Sequence, residues 1–502
     1  MLDITLLRQK KEYKVLALGS YPGIIQSMLD FDFLCEKSQP SIVGIIAGGR
    51  RSERYFFGKK EILLPVFSSF AAVPKEIKST VNLFLNVTSG RRVLDSSVQA
   101  MHELPSVVGG IVFAENVPEA HAIALYEEAE KKNAFIVGPA SVGMLLPKQL
   151  KLGAIGGVDM HQFVDAHIFT QGDVAVFSSS GGMTNELINI VANAGKRISF
   201  ALSFGGDRFP ATTPIEAFLA AERDPQTKYI VYFGELGGYD EYEIATAIKE
   251  GKITKPVICY IAGVISDMFP KPPQFGHAKA MAGKGSERAA AKRAALSDAG
   301  AFAAKSFEEF VEKIEGLETN ITDDTTDYAT LIADMQTRQH ALIASSVSKD
   351  VEGEVHILGE ELLSFAKNNS FAYEVGSLFL GRKLQSKETE KFIDFVLRLL
   401  VDHGPYVSGA VNTIVTARAG ANLVSSLSAG LLTIGPRFGG AINDAAGNWL
   451  RAIRDNQKPY DFVESFAKQK KYILGIGHRK YRIDFPDPRV LRGHSGGLPA
   501  HA

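Results

Sequence analysis

Two cysteines and one tryptophan stand in a chain of 502 residues, and the first scarcity excludes the most. Cys35 and Cys259 lie far apart and form no CxxC spacing, so the cysteines build neither a disulfide framework nor a zinc site, and a reducing, cytoplasmic setting is expected. An excess of one charge is also missing. The 55 basic and 56 acidic residues leave a formal net charge of −1, so no overall field draws the chain to nucleic acid or to an anionic membrane, and any phosphate must be held locally. Long apolar runs are absent too. The stretch MLDITLLRQKKEYKVLALG turns charged before a signal-peptide core develops, and no later window reaches the ~18 uninterrupted apolar residues of a spanning helix. No fixed-period repeat or low-complexity tract is found.

What the chain does have is apolar material, 45% of its residues, enough for two or three compact domains. Over residues 13–315 short apolar runs alternate with amphipathic stretches, the pattern of strands and helices in parallel sheets. Runs 13–18, 41–47, 81–87, 108–114 and 135–137 form a first strand series, and runs 174–178, 198–204, 229–233 and 257–261 a second. The expected fold class is α/β, with two tandem doubly wound domains, Rossmann-like over 1–165 and flavodoxin-like over 166–316. The polar, acidic stretch ETNITDDTTDYATL reads as part of a linker over 317–345. Beyond it, in 346–502, apolar residues recur at helical spacing, as in EKFIDFVLRLLV, so this region is expected to be mostly helical.

Three features in the α/β part carry chemistry. The segment KPPQFGHAKAMAGKGSERAAAKRAAL sets His277 among small residues, where an imidazole can project; being largely neutral near pH 7, it can attack a phosphoryl group without a helper base. On this segment alone an ordinary loop histidine is the favoured reading, since most histidines carry no chemistry. Next, VAVFSSSGGMTNE reads as a strand, a Ser/Gly turn and a helix, so free backbone N–H groups of the helix start would cradle an anion, lined by Ser178, Ser179, Ser180, Gly181 and Gly182. Finally, Glu115 and Glu235 end two apolar runs, at the sheet edge where α/β folds place ligands. Either carboxylate could hold one imidazole nitrogen and leave the other nucleophilic, or could simply cap or be solvated.

The order of GPASVG, SSSGGMTNE, SFGGDRFP, GELGG and FGHAKA resembles the alpha subunit of succinyl-CoA synthetase and, more closely, the matching region of the ATP-citrate lyase family, over nearly all of residues 13–315. The resemblance implies a first domain that binds CoA, with Gly19, Ser20, Gly23, Glu115, Gly138 and Pro139 as its candidates, and a second that carries a phosphohistidine at His277 with Glu235 and Glu115 as acidic partners. The turn Ser178, Ser180–Gly182 would bind phosphate, and the acyl phosphate of the substrate would form there. Two positions depart from the pattern. Ser179 stands where the family commonly has an arginine, and LGSYPGIIQSM lacks a full GxGxxG.

Residues 401–490 contain VDHGPYVSGAVNTI, LLTIGPRFGGAIND and ILGIGHRKYRIDFPDPRV, which resemble the citrate-synthase-like module of the same family. By that resemblance His403 and His478 would hold and polarise the oxaloacetate carbonyl, and Arg489 would bind substrate. The likeness stops after Val490, so an incomplete module is expected, unable by itself to complete carbon–carbon cleavage and exposing apolar surface. The resemblance also implies ATP with Mg²⁺ on an ATP-grasp (beta-type) partner subunit, hence a hetero-oligomer, with citrate and CoA as substrates and a reductive citrate cycle as one setting. A ligase for another dicarboxylate and a non-catalytic CoA-binding scaffold remain open. The spacing around His478 separates the first from the leading reading; the retained histidine, glutamates and glycines weigh against the second.

Overall fold

The computed structural model describes residues 2–269, 273–319, 326–341, 345–351, 353–402, 404–435, 439–475, 481–482 and 484–486. The chain divides into two compact units, Met1–Ala344 and Ser345–Ala502.

The first unit holds two seven-stranded sheets. One contains β1 (Val15–Leu18), β2 (Ile42–Ile46), β3 (Ser52–Phe57), β4 (Lys60–Phe67), β5 (Leu83–Asn86), β6 (Gly109–Val112) and β7 (Phe135–Val137), in the order β3-β4-β2-β1-β5-β6-β7. All its neighbours are parallel except β3 and β4. The second contains β8 (Gly143–Leu146), β9 (Leu150–Gly153), β10 (Val174–Ser178), β11 (Ile198–Ser203), β12 (Tyr229–Glu235), β13 (Val257–Ala262) and β14 (Phe302–Ala303), in the order β14-β13-β12-β10-β11-β8-β9. Here β14 to β11 run parallel and the β8–β9 hairpin is antiparallel. Helices cover both faces of a parallel sheet, which is why β1, β5, β10 and β11 are buried along their whole length and read as mostly apolar runs without alternation.

Three expectations change. The chain crosses from the first sheet to the second between Val137 and Gly143, ahead of the division expected at 165, because the short β8–β9 hairpin pairs with β11. β3 and β4 lie between residues 47 and 81, where the sequence pattern predicts no strand. Charged residues interrupt their apolar pattern, and one of them, Glu53, is buried as the acceptor of the Ser20 and Tyr55 hydroxyls, each at 2.7 Å. Residues 317–345 are not simply a linker. The helix Tyr328–Gln336 buries Ile332 and Met335, stacks Tyr328 on Phe169 at 4.4 Å, and leads to Arg338, whose guanidinium donates to buried Asp30 at 2.6 Å.

The second unit is mostly helical, as expected, with helices Phe371–Leu380, Lys387–Leu399, Ser408–Arg418, Leu423–Leu431, Ala441–Arg454 and Pro459–Lys468. It opens with a three-stranded antiparallel sheet, β15 (Ser348–Val351), β16 (Glu354–Ile357) and β17 (Glu360–Glu361). Its helices leave large apolar side chains exposed, among them Phe379, Leu423, Leu432 and Ile442. No described helix is long and apolar enough to cross a membrane.

Candidate active site

The carboxyl ends of β10, β11 and β12 converge on a cleft of about 560 Å³, lined by Glu115, Ser179, Ser180, Gly181, Gly182, Asp207 and His277 among others. Each strand contributes the residues that follow it. After β10 the chain turns at Ser180, the N-cap of the helix Gly181–Asn193, whose hydroxyl accepts from the Met183 N–H at 3.3 Å. The first-turn amides of such a helix have no intrahelical acceptor, and with the helix dipole they favour an anion beside Gly181 and Gly182. Ser178 is fully buried and outside the lining: its hydroxyl accepts from the Ser180 N–H at 3.1 Å, so it shapes the turn rather than the surface. Ser179, in the position of the family's arginine, faces the cleft with its hydroxyl buried and without a protein partner among the described residues.

His277 arrives on the loop after β13. The loop is tied internally, Phe275 N–H donating to the Ala280 carbonyl and Ala280 N–H to the His277 carbonyl, and to the segment after β11, Ala278 N–H donating to the Gly206 carbonyl, while the Gln274 amide donates to the His277 carbonyl at 2.7 Å. Glycine at 206 is a matter of space. A β-carbon there would lie 2.6 Å from Cδ2 of the imidazole. The ring is oriented by Glu235, the last residue of β12, whose Oε2 is 2.7 Å from His277 Nδ1. A neutral ring held this way keeps its proton on Nδ1 and its lone pair on Nε2. The bond to Glu235 raises the histidine above its ordinary value of 6.5; burial and the charge of Lys279 work against it, and the charges of Glu235 and, more weakly, Glu115 add to it.

Glu115 also lines this cleft. Asp207, in SFGGDRFP four residues beyond the last residue of β11, is a further carboxylate lining the cleft, signalled in the sequence only by its place after an apolar run. Burial, with the charge of Glu115 behind it, pushes Asp207 above the usual carboxylate range against a backbone hydrogen bond from Val117, and its Oδ2 is buried without a protein partner among the described residues.

A second crevice, about 400 Å³, opens at the carboxyl ends of β1, β2 and β5, where the order of the first sheet reverses. Gly19, at φ +89°, lines it beside Gly48, Ser68, Ser69, Thr88 and Arg92. Glycine lets the turn after β1 close against β5, since a β-carbon would lie 3.3 Å from the Thr88 nitrogen. The other first-domain candidates are placed differently. Ser20 spends its hydroxyl on Glu53, Gly23 lies in the first turn of the helix Pro22–Leu34, and Gly138 and Pro139 are buried at the crossover, where the Gly138 carbonyl accepts from Ala211. None of these four positions lines either opening. Arg92 was signalled by the Arg-Arg pair that follows β5 in TSGRRV. His403, His478 and Arg489 lie outside the described residues.

An anion cradle at a helix start, an imidazole held through Nδ1 by a carboxylate and a separate crevice at a switch point define a CoA-ligase class of α/β subunit, and the family model for CoA-ligase matches residues 177–302. That for the citrate synthase C-terminal domain matches residues 277–493. The chain is 38% identical over 490 residues to the probable ATP-citrate synthase subunit 1 of Neurospora crassa, covering 94% of this chain and 72% of that one. It is 39% identical over 481 residues to the ATP-citrate synthase beta chain protein 1 of Arabidopsis thaliana, covering 93% and 79%. The solved structure of ATP citrate lyase from Methanothrix soehngenii in complex with citrate and coenzyme A matches with a TM-score of 0.59 and 34% identity, over 97% of this chain and 82% of that one. The chain belongs to the ATP-citrate synthase family of enzymes.

Proposed function

We propose that this chain is the phosphoryl-carrying subunit of an ATP-citrate synthase, forming citryl-CoA from citrate, CoA and ATP. The observation that carries the reading is the 2.7 Å contact of His277 Nδ1 with Glu235 in a cleft that also holds the free helix start at Gly181 and Gly182. The relative of known structure was solved with citrate and coenzyme A, and this chain's site suits the same chemistry.

In the first step Nε2 of His277 attacks the terminal phosphorus of ATP; the P–O bond to ADP breaks, and the proton stays on Nδ1, donated to Glu235, whose carboxylate stabilises the phosphorylated ring's charge. A carboxylate oxygen of citrate then attacks phosphorus, the P–N bond breaks, and citryl phosphate forms with the ring again neutral. The amides of Gly181 and Gly182 and the Ser180 hydroxyl would hold the phosphoryl oxygens in both states. The thiol of CoA attacks the acyl carbon, the C–O bond to phosphate breaks, and the thiol proton leaves with the phosphate. A carboxylate alone is a poor acyl donor, so the acyl phosphate is what makes the thioester accessible. CoA fits the crevice at Gly19, where backbone and hydroxyl groups of Ser68, Ser69 and Thr88 and the guanidinium of Arg92 suit its phosphates.

ATP with Mg²⁺ would be bound by an ATP-grasp (beta-type) partner subunit, making the enzyme a cytoplasmic hetero-oligomer; the relative named subunit 1 supports a partnered assembly. Cleavage of citryl-CoA to acetyl-CoA and oxaloacetate in the intact enzyme is assigned from sequence to the module containing His403, His478 and Arg489. The test is a pulse and chase. The chain with its partner takes label from γ-labelled ATP, and citrate plus CoA discharges it; discharge by succinate plus CoA but not by citrate would replace citrate with another dicarboxylate, and failure of both would leave the site without its assigned acceptor.

A further inference from the structure

We infer that Lys292 is a positioning residue: its buried ammonium fixes the turn 235–237 from beneath, and through that turn aims Glu235 at His277. This rests on reading His277 as the phosphoryl carrier. Lys292 lies on the helix Ala289–Asp298, in the Ala-rich stretch that follows the histidine loop, and its side chain is 1% exposed. An ammonium has three protons to donate. Here one goes to the backbone carbonyl of Glu235 at 2.9 Å, one to the carbonyl of Gly237, and one to Oε2 of Glu241 at 2.5 Å. Glu241 is itself buried and accepts from the Tyr232 hydroxyl at 3.0 Å through its other oxygen.

The surrounding glycines fit this arrangement. A β-carbon at 234 would sit 2.7 Å from Oε1 of Glu241, so glycine there lets the carboxylate come up against β12. A β-carbon at 237 would sit 2.0 Å from the Lys279 carbonyl, so the turn held by Lys292 on one side bears directly on the histidine loop on the other. Lys279 closes the circuit with an ion pair to Asp240, next to Glu241, at 3.2 Å. A buried ion pair is seldom worth more to stability than well-packed apolar side chains of the same size. Two of the three donors here go to the carbonyls that bracket the site's carboxylate, which packing alone does not require.

The test is the double variant Lys292→Met/Glu241→Gln in the full chain, which removes both buried charges together and leaves neither unpaired. The readout is the pH dependence of diethylpyrocarbonate modification of His277, followed by mass spectrometry of its peptide, with folding checked by circular dichroism. Positioning lost, the titration midpoint of His277 falls toward that of a free imidazole, about 6.5, and labelling from ATP with the partner subunit slows about tenfold or more at pH 7. A midpoint that does not fall, or that rises as removal of a nearby positive charge alone would make it do, overturns the inference. Glu241→Gln alone keeps both carbonyl bonds and is expected to leave the midpoint in place; a fall as large as that of the double variant would make the ion pair, not the carbonyl anchoring, responsible and also overturns it. Should the double variant not fold, Lys292→Arg decides by the same titration, since the longer side chain displaces the turn: a lower midpoint supports positioning and an unchanged one contradicts it. Wild-type chain that takes no label would sink the phosphoryl-carrier reading, while the modification titration still judges Lys292.

Discussion

The bond from Glu235 to His277 both holds the ring's proton on Nδ1 and raises the ring's affinity for a second proton. Nucleophilic Nε2 is therefore available above the raised midpoint, and the rate of His277 labelling is expected to climb with pH through a value above 6.5. In Glu235→Gln the climb moves down to about 6.5, and the maximal rate falls on the order of 10²-fold because the tautomer is no longer enforced. The same shift has a stability consequence. A histidine whose folded midpoint is raised contributes stability that is fully present below its unfolded value and lost as pH rises through the folded one. Glu235→Gln should accordingly lower the melting temperature more at pH 5.5 than at pH 9, which a pair of thermal scans checks. His277, Glu235, Glu115 and the Ser180–Gly182 turn were legible in the sequence because each ends a strand or starts a helix. Lys292 was not, since an internal lysine in an Ala-rich helix reads as a solvated one until the fold buries it.

Among the elements, β9 carries an unusual load. Lys151 points into the seam with the helix Pro22–Leu34, fully buried, donating to Ser27 Oγ at 3.0 Å and to the Gly153 carbonyl at 2.7 Å, with its ammonium 5.2 Å from the Phe163 ring. Burial pushes it down to about 7, against the charges of Asp30 and Asp32. An unfolded lysine keeps its proton to about 10.4, so between pH 7 and that value folding releases a proton and stability from this group rises with pH. Lys151→Met should stabilise the chain by about 1–4 kcal/mol at pH 6, and the gain should shrink as pH approaches 10; a gain that is constant with pH would contradict this. The apolar strands around β9 could be read as runs of one character. The β3–β4 hairpin and the segment 326–341 could not, because what seats them is polar: Glu53 with Ser20 and Tyr55, and Arg338 with Asp30, partners between 2 and 308 residues apart in sequence.

At the scale of the chain, doubly wound sheets followed by helices were legible because strand-length apolar runs give way to helical spacing near residue 345. The point where one sheet yields to the other was not, since a two-stranded hairpin carries no label of the sheet it joins. The second unit's exposed apolar side chains, with Phe379 86% and Leu432 85% exposed, exceed what a helical surface usually leaves to water. Sedimentation velocity at micromolar concentration should show species heavier than the 54.4 kDa monomer, and Phe379→Ser/Leu432→Ser should shift the distribution toward monomer.

The most direct test of the central claim is to incubate the chain with an ATP-grasp partner subunit, magnesium and γ-labelled ATP, and to locate the acid-labile phosphate by peptide mass spectrometry. The account predicts phosphate on the peptide bearing His277, on no other histidine, and none in His277→Gln. Acid-labile phosphate on a different residue, or none on this chain while the partner turns over ATP, would contradict it.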